Sequence, residues 1–204
     1  VNTESKFAEL KEKEREARKQ IIIDSALALF AKKAFYEVGM RDVADEAGVS
    51  PATLYRYFPS QEDLFVEAFI QDISAVSLEF ENMVKKEQPA TIEECAITYV
   101  DHLFQNDSTF QMMTYILLKD HLDKAALAKF GSVTRIFFDI FEQLLRRYGT
   151  KEDVRLYVHA FIAAMTGIII TFRNHPVKKK GEIREHILQI TRITADLFSN
   201  KLIK

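Results

Sequence analysis

Residues 39–58 read GMRDVADEAGVSPATLYRYF, and their physical content is two short helices joined by a sharp turn. The first is predicted from about Arg41 to Ala47. It ends at Gly48, in the left-handed position after a helix that glycine enters without a Cβ penalty. Val49-Ser50-Pro51 follows. Ser50 is a good N-cap, and Pro51 at the first helical position gives up an N–H that would have no partner anyway. The second helix is therefore predicted over Pro51–Tyr57. Val43, Ala44 and Ala47 face inward from the first helix, and Ala44 is small enough to let the second cross closely. Val49 plugs the corner, while Leu54 and Phe58, four residues apart, anchor the second helix to a core. That leaves Ala52, Thr53, Tyr55, Arg56 and Tyr57 on or near the outer face. This is a helix-turn-helix pattern, and its short exposed helix N-terminus is suited to phosphates and base edges.

Upstream, residues 4–34 read as one long helix. Its first half, Glu4 to Gln20, is charged and carries i,i+4 pairs such as Glu9–Lys13 and Glu14–Arg18. Two readings are open for it: a solvated helix with compensating charges, or an arm lying near DNA through Lys6, Lys11, Arg15 or Lys19. From Ile21 the pattern changes, and Ile22, Ala26, Leu29 and Phe30 form an apolar stripe at helical spacing. Downstream, Pro59-Ser60 is a turn. Ser60 and Asp63 make a capping-box-like start to the next helix, with Glu62 and Asp63 at the positive end of its dipole. Longer helices are predicted near 61–86, 92–106, 108–119, 123–148, 152–173 and 182–202. Thr91-Ile92-Glu93-Glu94 is a second capping box, Gly149-Thr150 a break, and Arg173 to Gly181 a polar loop. No tandem repeat or low-complexity segment is present.

Composition bounds the fold class. Among 204 residues only 6 are Gly and 4 Pro, too few turns for an all-β chain. A hydrophobic fraction of 48% suffices for a sizeable core. The expectation is an all-α protein of about nine helices: an N-terminal three-helix helix-turn-helix domain and a larger C-terminal helical domain. The segments are a charged extension (1–20), the helix-turn-helix domain (21–67) and the remainder (68–204). A single cysteine, Cys95, excludes an internal disulfide and reads as a small buried apolar residue in a reducing compartment. The N-terminus shows no apolar signal core, so a cytoplasmic location is expected. The run Leu156 to Phe172 contains His159, Thr166, Gly167 and Thr171 and falls short of the ~20 residues of a spanning helix. It is expected to be a buried helix of a soluble protein.

Charge alone does not announce a nucleic-acid binder. The net charge is −2, and residues 1–61 hold ten basic and ten acidic side chains. Any DNA contact must come from local placement. Catalysis is not expected. His102, His121, His159, His175 and His186 are scattered, with no HExxH and no Cys/His metal spacing, so neither metal nor cofactor is expected. A helical lipid carrier would not explain residues 47–58.

Residues 20 to 69 closely resemble the TetR family of transcriptional regulators. The blocks ALALFAKKAF, RDVADEAGVSPATLYRYF and PSQEDLF occur in the family's order and spacing. The resemblance implies that Arg41 contacts phosphate or a base, and that Ser50, Pro51, Ala52 and Thr53 form the leading edge of the recognition helix. It implies that Tyr55 and Tyr57 clamp phosphates and that Arg56 contacts phosphate or a base. Gln61 stands where many members have lysine, which would weaken one phosphate contact. Ala34 stands where glycine is frequent, and Gly39 replaces the usual Thr or Ser cap.

Two further expectations follow from that resemblance. Apolar positions at spacings of three and four mark the last two predicted helices: Val154, Val158, Phe161, Met165 and Ile168, then Ile183, Ile187, Ile190, Thr194 and Leu197. By pattern these serve a single-chain core or a partner. The resemblance implies a homodimer with a four-helix interface, two heads meeting successive major grooves of a palindromic double-stranded operator. The middle helices are rich in Met and aromatic residues, which suits a pocket for a small apolar or aromatic ligand. Phe69, Met83, Met112, Phe137 and Phe138 are its candidate walls, with Tyr99, His102, Tyr115 and Thr134 as orienting polar groups. The implied mode is repression relieved by ligand; the alternative is an activator, or a regulator controlled by a protein partner.

Overall fold

Ile22, Ile23, Ala26, Leu29 and Phe30 are buried along one side of the first helix, α1 (Thr3–Phe30), as an apolar stripe recurring every three or four residues requires. The computed structural model describes residues 3–33, 35–88, 90–147, 153–174, 176 and 179–202. A 3-10 turn follows at Phe35–Glu37. Then come α2 (Met40–Glu46), α3 (Pro51–Tyr57), α4 (Gln61–Lys85), α5 (Ile92–Gln105), α6 (Asp107–Leu118), α7 (Lys124–Arg146), α8 (Val154–Phe172) and α9 (Lys180–Leu202). No strand occurs among the described residues, and the fold is all-α as expected.

Helix α1 stops earlier than the expected 34. The N–H groups of Lys32 and Lys33 both return to the Leu29 carbonyl at 2.9 Å. Phe35 is then drawn into the core, its ring 5.0 Å from Phe30 and 4.5 Å from Phe65. Burying that ring outweighs another helical turn. Residue 34, the break at Gly149-Thr150 and His175 lie outside the described residues. At the start of α4, Ser60 Oγ accepts from the Asp63 N–H at 3.0 Å. The reciprocal half of that capping box is not made, because the Asp63 carboxylate takes Lys129 at 2.6 Å instead. The box at α5 is complete: Thr91 Oγ1 accepts from the Glu94 N–H (3.1 Å) and Glu94 Oε2 from the Thr91 N–H (2.7 Å).

The chain forms two compact units. The first comprises Val1–Asp72 with Gln111–Phe130, so it reaches past residue 67 and includes a later segment of the chain. Its core centres on Phe30, Phe35, Phe65 and Tyr115. A band of ion pairs ties its helices: Glu67 accepts from Lys19 (3.2 Å) and Lys129 (2.6 Å), and Lys119 pairs with Glu62.

The second unit comprises Ile73–Phe110 with Gly131–Lys204. Helices α5, α8 and α9 pack mutually around Phe80, Tyr99, Phe137, Phe141 and Phe161. Arg184 of α9 grips Asp101 of α5 through two bonds of 2.7 and 2.8 Å. Most of the residues expected at a dimer interface fall inside this unit. Val154, Val158, Phe161, Met165, Ile168, Ile183 and Ile187 are all buried inside this unit, and a side chain already enclosed by its own chain has no surface to give a partner. Ile190 is half-buried, and only Leu197 of that set is exposed. The periodicity is real, but it describes the intramolecular face. On the opposite side α8 shows Leu156, Ala160, Ala163, Gly167 and Ile170 to solvent, again at spacings of four and three. Accordingly only 33% of the most apolar window of α8 is buried within the chain, although the helix is long and apolar enough to cross a membrane.

Candidate nucleic-acid interface

The turn between α2 and α3 is built by hydrogen bonds that only one conformation satisfies. Gly48 sits at φ +66°. Its N–H donates to Asp45 O (3.2 Å) and the Val49 N–H to Ala44 O (2.9 Å), the paired bonds of a Schellman stop. One residue later Ser50 opens α3, its Oγ accepting from the Thr53 N–H at 3.1 Å. Leu54 and Phe58 are fully buried and pin α3 down. The opposite face is left open: Pro51, Ala52, Tyr55 and Arg56 are exposed, Thr53 and Tyr57 half-buried. Arg41, in the first turn of α2, is exposed as well. Among the described residues none accepts a hydrogen bond or ion pair from the side chains of Arg41, Tyr55, Arg56 or Tyr57. Helix α2 is capped from within. The Gly39 N–H donates to Asp42 Oδ2 at 2.8 Å, and this bond, helped by Lys33, holds the Asp42 carboxyl below its usual range.

Two expected contacts are placed differently. Gln61 is turned inward, its Nε2 donating to the Val38 carbonyl at 3.1 Å; it ties the start of α4 to the turn before α2. The Thr53 hydroxyl is engaged with Ser50 Oγ at 2.9 Å. The charged first half of α1 also divides. Lys19 is taken by Glu67, whereas Lys11, Glu14, Arg15 and Arg18 line a cleft of about 260 Å³ together with Arg56 and Tyr57 of α3. Arg18, which the sequence marks only as the partner of Glu14, joins this cleft one helical turn beyond Arg15.

The nine candidate ligand-pocket residues are divided between the two units. Phe69, Met112 and Tyr115 belong to the first unit. Met112 is fully buried there, Phe69 packs on Phe130 (5.8 Å) and Tyr115 accepts a bond from Lys119 (2.8 Å). These three serve the core beneath the helix-turn-helix. Met83, Tyr99, His102, Thr134, Phe137 and Phe138 belong to the second unit. Tyr99, buried, bonds Thr166 at 3.2 Å, and Phe138 carries the Arg155 guanidinium at 5.1 Å. Met83 lines an open cleft of about 520 Å³ with Lys86, Gln88, Ala90, Glu94, Ile97 and Thr98. Among the described residues no group of three His, Cys, Asp or Glu is poised to hold a metal ion.

Residues 22–68, from the apolar stripe of α1 to the first turns of α4, match the family of bacterial regulatory proteins, tetR family. The helix-turn-helix segment of this chain is thus similar to that of the TetR family. Among the similar proteins, the HTH-type transcriptional repressor KstR of Mycobacterium tuberculosis (strain ATCC 25618 / H37Rv) is 45% identical over 65 residues, covering 32% of this chain and 29% of that protein. KstR of Rhodococcus jostii (strain RHA1) is 28% identical over 141 residues, covering 69% of this chain and 65% of that protein. The match thus spans less than two thirds of either relative. The transcriptional regulator FadR from Bacillus subtilis, in complex with stearoyl-CoA, superposes with a TM-score of 0.64 at 19% identity over 84% of this chain and 96% of that one. At that identity the likeness is one of fold.

Proposed function

We propose that this chain is a DNA-binding transcriptional repressor of the TetR type that holds a palindromic operator as a homodimer and releases it when a small apolar or aromatic ligand binds its larger unit. The observation that carries the reading is α3. A capped helix is locked on one side by Leu54 and Phe58 while its other side offers Pro51, Ala52, Tyr55 and Arg56 to solvent. Ser50, Pro51 and Ala52 form the leading edge toward base edges. Tyr55 and Tyr57 reach backbone phosphates, with Arg41 and Arg56 adding charge.

The dimer rests on a revised surface. Leu156, Ala160, Ala163, Gly167 and Ile170 of α8 and Ile193 and Leu197 of α9 are exposed apolar or small residues. Small residues at the centre of the stripe let two helices approach closely, and covering Leu156, Ile170, Ile193 and Leu197 gives the apolar burial. Residues 21–67 supply DNA binding in this scheme, and residues 68–204 supply sensing and dimerisation, with Gln111–Phe130 packed in the DNA-binding unit. Helix α4 is shared, Gln61–Asp72 in one unit and Ile73–Lys85 in the other. A ligand that binds one position of α4 better than another shifts the heads by that difference in affinity. The KstR relatives are named repressors, which supports repression as the sign, and the FadR neighbour holds stearoyl-CoA, which makes a long-chain acyl-CoA the first ligand to try.

The test is fluorescence anisotropy of the full chain on duplex DNA from upstream of its own gene, with and without stearoyl-CoA. Tight binding that steepens as salt falls, released by ligand, is expected. Indifference to that duplex at low salt, with and without ligand, sinks the DNA-binding reading. Binding that stearoyl-CoA leaves unchanged removes the acyl-CoA choice of ligand and leaves the DNA-binding reading standing.

A further inference from the structure

Resting on the DNA-binding reading above, we propose that the face Lys11–Arg15–Arg18 of α1, with Arg56 and Tyr57 of α3, is a second phosphate-binding site, holding the backbone of duplex DNA that flanks the stretch met by α3.

The first observation is how charge is sorted around α1. At about 100° per residue, Lys11, Arg15 and Arg18 fall within about 60° of one another, and Glu9, Glu12 and Glu16 are centred about 120° away. The segment is nearly neutral in bulk yet basic on one side. The second is where that side points. Lys11, Arg15 and Arg18 share one cleft with Arg56 and Tyr57, so a polyanion lying along α3 meets both helices. From Lys11 to Arg18 the helix rises about 10 Å, a span over which a duplex carries about six phosphate charges. The third is anchorage. Lys19 donates to Glu67 (3.2 Å) and Gln20 to Gln71 (2.6 Å), so the extension is held at its root by α4 and is presented as a continuation of α1.

Glu14 is the one acid in the cleft. It pairs with Arg18 at 2.6 Å, both side chains well exposed. Such a pair contributes little to stability, but it places a negative charge against incoming phosphate. Glu14 therefore works as a brake on DNA binding.

The experiment uses the full chain, titrated over a salt series against its own upstream duplex and a random-sequence duplex of equal length. The triple variant K11Q/R15Q/R18Q alters only exposed side chains, and its helicity is checked by circular dichroism. It should lose about tenfold or more in affinity on both duplexes. The slope of log K against log salt should flatten by about 0.9 for each phosphate contact removed. E14Q should bind both duplexes severalfold more tightly than wild type. Wild-type affinity and slope in the triple variant, on a duplex that wild type binds, overturn the second site and leave the α3 reading standing; so does weaker binding by E14Q. If wild type binds neither duplex, the α3 reading falls and this site falls with it.

Discussion

Two helices of this chain leave a long face uncovered, and the faces differ in kind. The first half of α1 is exposed from Lys6 to Arg18 and gathers Lys11, Arg15 and Arg18 on one side, with Glu14 among them. Helix α8 exposes a stripe of Leu156, Ala160, Ala163, Gly167 and Ile170 and buries its other side in the second unit. A charged face is at home in water and gains only when a counter-charge arrives, whereas an apolar stripe is penalised until it is covered. The first therefore suits a partner that comes and goes with salt and ligand, the second a permanent one. On the proposed reading, regulation at α1 and α3 requires constancy at α8, because two heads would read one operator only while a dimer persists.

The largest expected effect breaks the permanent side. Ala163→Glu puts a carboxylate at the middle of the α8 stripe, and two-fold symmetry puts two of them there. Burying unpaired charge costs about 3 kcal/mol or more, so sedimentation should show a dimer weakened more than about a hundredfold. Operator binding should fall with it, while helicity stays intact because Ala163 faces solvent in the single chain. A variant that stays dimeric at wild-type concentrations would move the interface elsewhere.

The contrast also marks what was legible in the amino-acid pattern. Residues 39–58 were readable because each local signal has one meaning: Gly48 at φ +66°, Ser50 as a cap, Leu54 and Phe58 as anchors. The apolar periodicity of α8 and α9 was equally visible but ambiguous. Val158 and Phe161 lie on one face, Ala160 and Ala163 on another, and the larger side chains drew the interface assignment although they fill the intramolecular core. Hydrophobic period marks a face to be buried; it does not say whether the chain or a second copy buries it. Gln61 shows the same limit for polar residues, since its tie to the Val38 carbonyl depends on a turn whose geometry no spacing encodes. The cleft between α1 and α3 was out of reach for a related reason. Lys11 and Arg56 are far apart in sequence, and only packing brings them to one surface.

A smaller effect separates the two faces by pH. Burial alone would raise the Glu67 carboxyl, but Lys129 and Lys19 outweigh it and hold the group below the ordinary glutamate value of 4.5. Glu62 is held low by Lys119. A carboxyl whose folded value is depressed stabilises the fold fully above its unfolded value, and loses that contribution as pH falls through the folded one. Thermal unfolding followed from pH 7 downward should thus be level to about pH 5 and decline below it. Lys19→Met, which removes one cation from Glu67, should make the acid decline shallower. The proposed α8 stripe of Leu156, Ala160, Ala163, Gly167 and Ile170 carries no carboxylate, so a dimer formed through it should outlast the acid loosening of α1's root. Dissociation in step with the first unit's unfolding would contradict that separation.

The smallest effect sharpens the line between charge and hydrogen bonding within the DNA-facing side itself. Tyr55, half exposed at 50%, offers a neutral hydroxyl, while Lys11, Arg15 and Arg18 offer charge. Removing the hydroxyl in Tyr55→Phe should cost about 1 kcal/mol, one hydrogen bond's worth, on any duplex. It releases no counterion, so the salt slope should stay at the wild-type value while the intercept drops, which is the opposite signature to the cleft variant. Tyr57, which lies in the cleft with Arg56, should behave the same way as Tyr55 if its hydroxyl meets phosphate. Anisotropy titrations of Tyr55→Phe, Tyr57→Phe and the double variant decide the matter. If the double variant binds as wild type does, the tyrosines are packing residues and the phosphate contacts of α3 reduce to Arg56 and its own N-terminus.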